Sequence, residues 1–172
     1  MTESSTRAES LQKLRELTKD IHVVMLTTID EDGVLHSRPM GSQPVDPDGV
    51  LWFFTEAEAG KVQDIQQQQQ VNVAYSHPSE RWVSVSGTAT LVRDAEKMRE
   101  LWNPFVQAWF PQGPESPTVA LLKVHVTSAE YWESPGGPVV QLIKIVRSAI
   151  THQPPTDLGT SEKLTISEGA AR

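Results

Sequence analysis

The chain has 172 residues and no cysteine, which allows one domain with a full core and excludes disulfides, thiolate catalysis and Cys-bound metals. A formal net charge of −7, with no visible cluster of Lys and Arg, argues against a nucleic-acid partner. No apolar run approaches the ~20 residues of a membrane span and the first ten residues have no signal-peptide core, so a cytoplasmic protein with no membrane partner is expected.

Ser10 to Lys19 is expected to form a helix, because Leu11, Leu14, Leu17 and Ile21 recur on one face. His22 to Thr28 is short, apolar and rich in β-branched residues, the pattern of a buried strand. Asp30-Glu31-Asp32-Gly33 makes a tight turn with Gly33 at positive φ. The next strand, Val34 to Gln43, carries Arg38 and Pro39. Proline has no N–H for a ladder, so this strand is irregular or lies at an edge. A run of turn formers, Pro44 to Gly49, leads to the strand Leu51 to Thr55. Read as a hairpin, these two strands set Arg38 opposite Thr55. Glu58 to Gln70 follows as a short amphipathic helix with Lys61 in its first turn, ending in five consecutive glutamines. A guanidinium, a hydroxyl and an ammonium then converge. That arrangement suits a phosphate, and a phosphate at the helix start would offset the unfavourable placement of Lys61 against the helix dipole.

Val71 to Ser76 and Arg81 to Val92 are expected to pair across His77-Pro78-Ser79-Glu80, with Gly87 marking a bulge or a close backbone approach. Asp94 is a good N-cap for a helix from Ala95 to Trp102. From Pro104 to Pro114 the chain reads as an aromatic loop. Of the five tryptophans, Trp109, followed by Phe110, is the best candidate to flank a flat ligand or a subunit interface. A last strand is expected from Val119 to Val126, and a last helix from Val139 to about Ala149, opened by Gly136-Gly137-Pro138. The polar stretch from residue 151 to 172 reads as a loose tail after a domain of residues 1–150. The sum is about six strands joined by consecutive hairpins. The expected class is mainly β with α, an antiparallel barrel and not a parallel α/β sheet.

No dinucleotide fingerprint, Walker loop, nucleophile elbow or His-Glu-x-x-His motif occurs, and the five histidines lack metal-ligand spacing, so no metal site is expected. Without an evident acid, base or nucleophile, redox chemistry would have to come from a bound cofactor.

The segments Ser37-Arg38-Pro39-Met40, Leu51-Trp52-Phe53-Phe54-Thr55 with Lys61, and Trp82-Val83-Ser84-Val85-Ser86-Gly87 occur in a telling order. They are followed by Asp94 with Leu101-Trp102, by Trp109-Phe110-Pro111-Gln112-Gly113, and by Leu121-Leu122-Lys123-Val124 with Ala129-Glu130-Tyr131-Trp132. With these residues the chain resembles the flavin-binding split-barrel proteins related to pyridoxamine phosphate oxidase, most of all their general-stress-protein branch. The resemblance covers about Leu11 to Trp132. It implies a six-stranded antiparallel split β-barrel with flanking helices, dimerised with FMN at the subunit interface.

It implies phosphate contacts from Arg38, Thr55 and Lys61, and places Met40 and Phe54 beside the isoalloxazine ring. Gln43 falls where related oxidases carry a Lys near the ring, and Trp82 where a polar residue often reaches the flavin. Trp109 and Phe110 are implied to close the site from the other subunit. The basic C-terminal motif of the oxidases is not reproduced by Lys144, Arg147 and Lys163, so oxidation of pyridoxamine phosphate is not expected. The expected function is FMN binding, with either a flavin-dependent oxidoreductase or a non-catalytic flavin-binding or sensing protein in a stress response. Another flat cofactor such as F420 or haem, or a barrel with no ligand, are the other readings.

Overall fold

A computed structural model describes residues 6–134 and 160–166. It opens with helix α1 (Arg7–Thr18), held at its start by a capping box in which Thr6 and Glu9 bond each other's backbone N–H. Strands β1 (Val23–Ile29) and β2 (Leu35–Gly41) form the first hairpin, with Gly33 at φ +80° in its turn. Strand β3 (Val50–Glu56) is followed by helix α2 (Gly60–Gln67), and then by the hairpin of β4 (Gln70–His77) and β5 (Arg81–Val92). Helices α3 (Ala95–Leu101) and α4 (Pro104–Trp109) lead to the long β6 (Val119–Glu133). A further strand, β7 (Thr160–Thr165), pairs with the second half of β6.

These strands make one antiparallel sheet in the order β2-β1-β4-β5-β6-β3, with β7 beside β6. The ladder does not close, because β2 and β3 stand at its two ends without pairing. The fold is thus α+β, a split barrel with flanking helices. Its interior is filled by Leu26, Phe53, Val73, Val85 and Leu122, with Leu14 of α1 sealing one end. A second apolar cluster lies on the other face of β3, where Trp52, Phe54 and Leu121 pack under Met98 and Val106 of α3 and α4. Alternate residues of β3 therefore enter two different cores, which explains why its burial is nearly continuous.

The expected hairpin of β2 with β3 does not form. Among the described strands β2 pairs with β1 alone, and Thr55 pairs with Ala120 of β6, not with Arg38. The connecting run folds back on β3 instead. Asp46 N–H donates to the Val50 carbonyl, Gly49 closes the turn at φ +83°, and the Trp52 indole donates to Asp46. Val126 N–H then bonds the Gly49 carbonyl, so the turn is aimed at β6. Pro39 does lie on an edge strand, where its missing N–H costs least.

Gly87 marks a bulge, as its sequence context requires. The pairing slips between Ser86 and Gly87, and a Cβ on Gly87 would collide with the backbone of His125. The aromatic segment expected as a loop contains α4, whose start combines an Asn103 side-chain cap with Pro104 in the first turn. β6 runs beyond the expected Val126 because a bulge at Thr127 lets its pairing with β5 continue to Glu133. The stretch expected as a loose tail contributes β7, and Leu164 and Ile166 are buried in the interior core. The helix expected over 139–149 lies outside the described residues.

Candidate functional site

A cleft of about 340 Å³ lies where the sheet fails to close. One wall is β2, through Pro39, Met40 and Gly41, with Gln43 just beyond it; the other is the edge of β3 from Phe54 to Glu56. Ala59 and Lys61 at the start of α2 form one end, and Phe105, Val106, Trp109 and Phe110 form the other. Among the described residues β3 pairs only with β6, and its other edge borders the cleft.

The α2 end is built for an anion. The helix starts at Ala59 without a side-chain cap and without an acidic residue in its first turn; Val62 N–H bonds the Ala59 carbonyl, while the N–H groups of Gly60 and Lys61 keep their bonding capacity. Lys61 is half-buried beside them. Its burial, and then the nearby Arg38 guanidinium, push the ammonium below the ordinary lysine range, while Glu56 opposes the shift. Among the described residues Lys61 has no ion pair. Arg38 shares this neighbourhood but is anchored: its Nη1 donates to Thr28 Oγ1 at 2.6 Å, and its Nη2 lies 3.6 Å from Asp64 of α2. Thr55 is buried, lines the cleft from β3, and donates to the Glu56 carbonyl. The guanidinium, the ammonium and the hydroxyl thus gather around the split from three separate elements, although no β2–β3 ladder brings them there.

The opposite end is flat and apolar. Phe54 meets Trp102 edge-on at 5.3 Å and Phe110 at 6.2 Å, which fixes its ring at the cleft wall. α4 reaches from this cluster back to β2: a Cβ on Gly41 would lie 2.8 Å from Phe105 Cε1, so the ring rests where only a glycine leaves room. Gln43 is buried, and its Oε1 accepts from Asn103 Nδ2 at 3.4 Å. Trp109 lines the cleft yet stays 71% exposed, leaving much of its surface uncovered.

Seven of the nine residues singled out from the sequence, Met40, Gln43, Phe54, Thr55, Lys61, Trp109 and Phe110, line this cleft. Arg38 stands behind it. Trp82 does not line it and lies on the outer sheet face beside Trp132, with Met25 also exposed there; Val23, exposed on the same face, is also part of the cleft lining. Thr28, Asp64, Ala59 and Phe105 were missed. The Asn103-Pro104 cap signal was enough to find α4; nothing in the local sequence marks Thr28 or Asp64. No group of three potential metal ligands occurs among the described residues, and no helix among them is long and apolar enough to cross a membrane.

A family model described as pyridoxamine 5'-phosphate oxidase like matches residues 9–156. Protein bli-3 of Neurospora crassa is 31% identical over 159 residues, covering 84% of this chain and 76% of that protein. Among solved structures, a protein described as general stress protein 26 from Jannaschia sp. CCS1 is 27% identical, with a TM-score of 0.69 over 93% of this chain and 99% of the other. A general stress FMN/FAD binding protein from Xanthomonas citri is 31% identical, with a TM-score of 0.64 over 76% of this chain and 92% of the other.

Proposed function

The chain belongs to the pyridoxamine 5'-phosphate oxidase-like family, and from that membership we propose that it binds FMN in the cleft between β2 and β3. The carrying observation is the pairing of opposites along that cleft. An uncapped helix start with Lys61, backed by Arg38, is at one end, and a flat aromatic wall is at the other. FMN has the same polarity, a phosphate at one end and a planar ring at the other. The phosphate would lie against Lys61, Arg38 and the α2 amides, with Thr55 on the facing strand. The ring would lie by Met40, Phe54 and Gln43, under Trp109. The flavin/stress name of the Xanthomonas citri relative supports this reading and a stress-linked role.

A bound flavin supplies electron transfer through its own ring. The residues of this chain bind it, orient it and exclude water. Among the described residues the ionisable side chains lining the cleft are Glu56 and Lys61, both at the phosphate end, so none of these is placed to move a proton at the ring. We propose a cytoplasmic homodimer, with the face carrying Val23, Met25, Trp82 and Trp132 against a second copy. Trp82 would then act at the subunit interface. Oxidation of pyridoxamine phosphate is not part of this proposal.

The test is the absorption spectrum of purified protein with mass identification of the released ligand. A flavin spectrum and FMN mass are expected. A deazaflavin or haem spectrum, or colourless protein that takes up no FMN, overturns the reading. Bleaching by NAD(P)H with reoxidation by an acceptor then separates an oxidoreductase from a flavin carrier.

A further inference from the structure

Behind the phosphate end lies a chain of contacts that deepens the FMN reading and rests on it. Arg38 Nη1 donates to Thr28 Oγ1 at 2.6 Å, and Thr28 Oγ1 donates to Asp64 Oδ2 at 2.7 Å. The same Asp64 oxygen lies 3.6 Å from Arg38 Nη2. Thr28 is fully buried, and the side chains of Arg38 and Asp64 are only 24% and 18% exposed. A threonine hydroxyl has one proton. With that proton committed to Asp64, its lone pairs face Arg38. The three groups link β2, β1 and α2 in one directed chain.

We propose that Thr28 and Asp64 are positioning residues that hold the Arg38 guanidinium toward a flavin phosphate. Without them, Arg38 faces Lys61, and like charge would drive the flexible side chain away from the site. Asp64 lies three residues after Lys61 on α2, so one helix carries one phosphate cation and anchors the other. The register of β1 with β2 sets Leu26, not Thr28, directly opposite Arg38, so the hydrogen bond to Thr28 runs diagonally across the ladder. One edge of the fork is thereby tied down, and its remaining N–H donors keep their capacity. Asp64 also offsets part of the local positive charge, which lets two cations stand close together before any phosphate arrives.

The test titrates the full chain with FMN and with riboflavin, which lacks the phosphate, following flavin fluorescence. Thr28→Val keeps shape and charge but removes the hydroxyl. It is expected to weaken FMN by about tenfold while riboflavin stays unchanged, the size of one charge-assisted contact. Thr28→Ser restores the hydroxyl and is expected to keep the wild-type FMN preference, which a role in packing alone would not produce. If Thr28→Val does not fold, Thr28→Ala removes the same hydroxyl without adding bulk. An unchanged FMN preference in the hydroxyl-free variant overturns the positioning role while leaving the cleft assignment standing. A wild-type protein that binds FMN and riboflavin equally overturns both.

Discussion

At the charged end of the cleft, Lys61 has lost hydration without gaining an ion-pair partner among the described residues. A cation in that position gains most from an incoming anion. Lys61→Ala should therefore weaken FMN by about 1.5–3 kcal/mol, roughly tenfold or more, and leave riboflavin nearly unaffected. Parallel fluorescence titrations check this, and equal weakening of both flavins removes Lys61 from the phosphate contact. Its lowered pKa sets a direction with pH. The ammonium is lost, as pH rises, earlier than in an ordinary lysine of pKa about 10.4. The FMN preference of the protein should thus fall on the alkaline side before that point, and FMN binding there should take up protons. Lys61→Arg should abolish the fall, because a guanidinium does not titrate in that range. At this scale Lys61 was singled out by its chemistry at a helix start, and Met40 and Phe54 only through the family resemblance; all three line the cleft. Thr28 and Asp64 were not, since their contact with Arg38 exists only once β1 lies beside β2 and α2 packs on β1.

Helix α2 offers the anion site through its missing cap as much as through its lysine. Ala59 already has the extended backbone of an N-cap, φ −64° and ψ 147°, but no side-chain oxygen to give. Ala59→Asp should supply one. The flavin-free protein is then expected to gain about 1 kcal/mol of stability, seen as a higher Tm or urea midpoint. FMN affinity should fall, because the new carboxylate takes the amides and repels the phosphate. An Ala59→Asp variant that binds FMN as tightly as wild type would show that the helix start is not the phosphate seat. The β4–β5 hairpin and the Asp94 cap were legible because their signals are local. The β2–β3 hairpin was misread because two strands joined by turn formers ordinarily pair, whereas here Asp46 and Gly49 turn the chain onto β3 itself.

Across the whole molecule, the split between β2 and β3 has a counterpart on the outer sheet face. Val23, Met25, Trp82 and Trp132 are 52%, 41%, 44% and 38% exposed there, and two tryptophans paired across β5 and β6 are costly to leave in water. With a second copy on this face, Trp82→Glu should give a monomer by sedimentation velocity, with flavin bound more weakly. A dimer that survives the charge places the interface elsewhere. The antiparallel barrel was legible from consecutive short strands. The pairing of β3 with β6 was not, because it joins residues as far apart in sequence as Val50 and His125, and β3 carries two cores, one on each face.

A crystal structure of the protein grown with FMN tests the central claim most directly. The account predicts the phosphate against Lys61, the Arg38 guanidinium and the first amides of α2, with the ring between Met40, Phe54 and Trp109. FMN bound away from the β2–β3 cleft, or lying in it with the phosphate at the aromatic end, would contradict it.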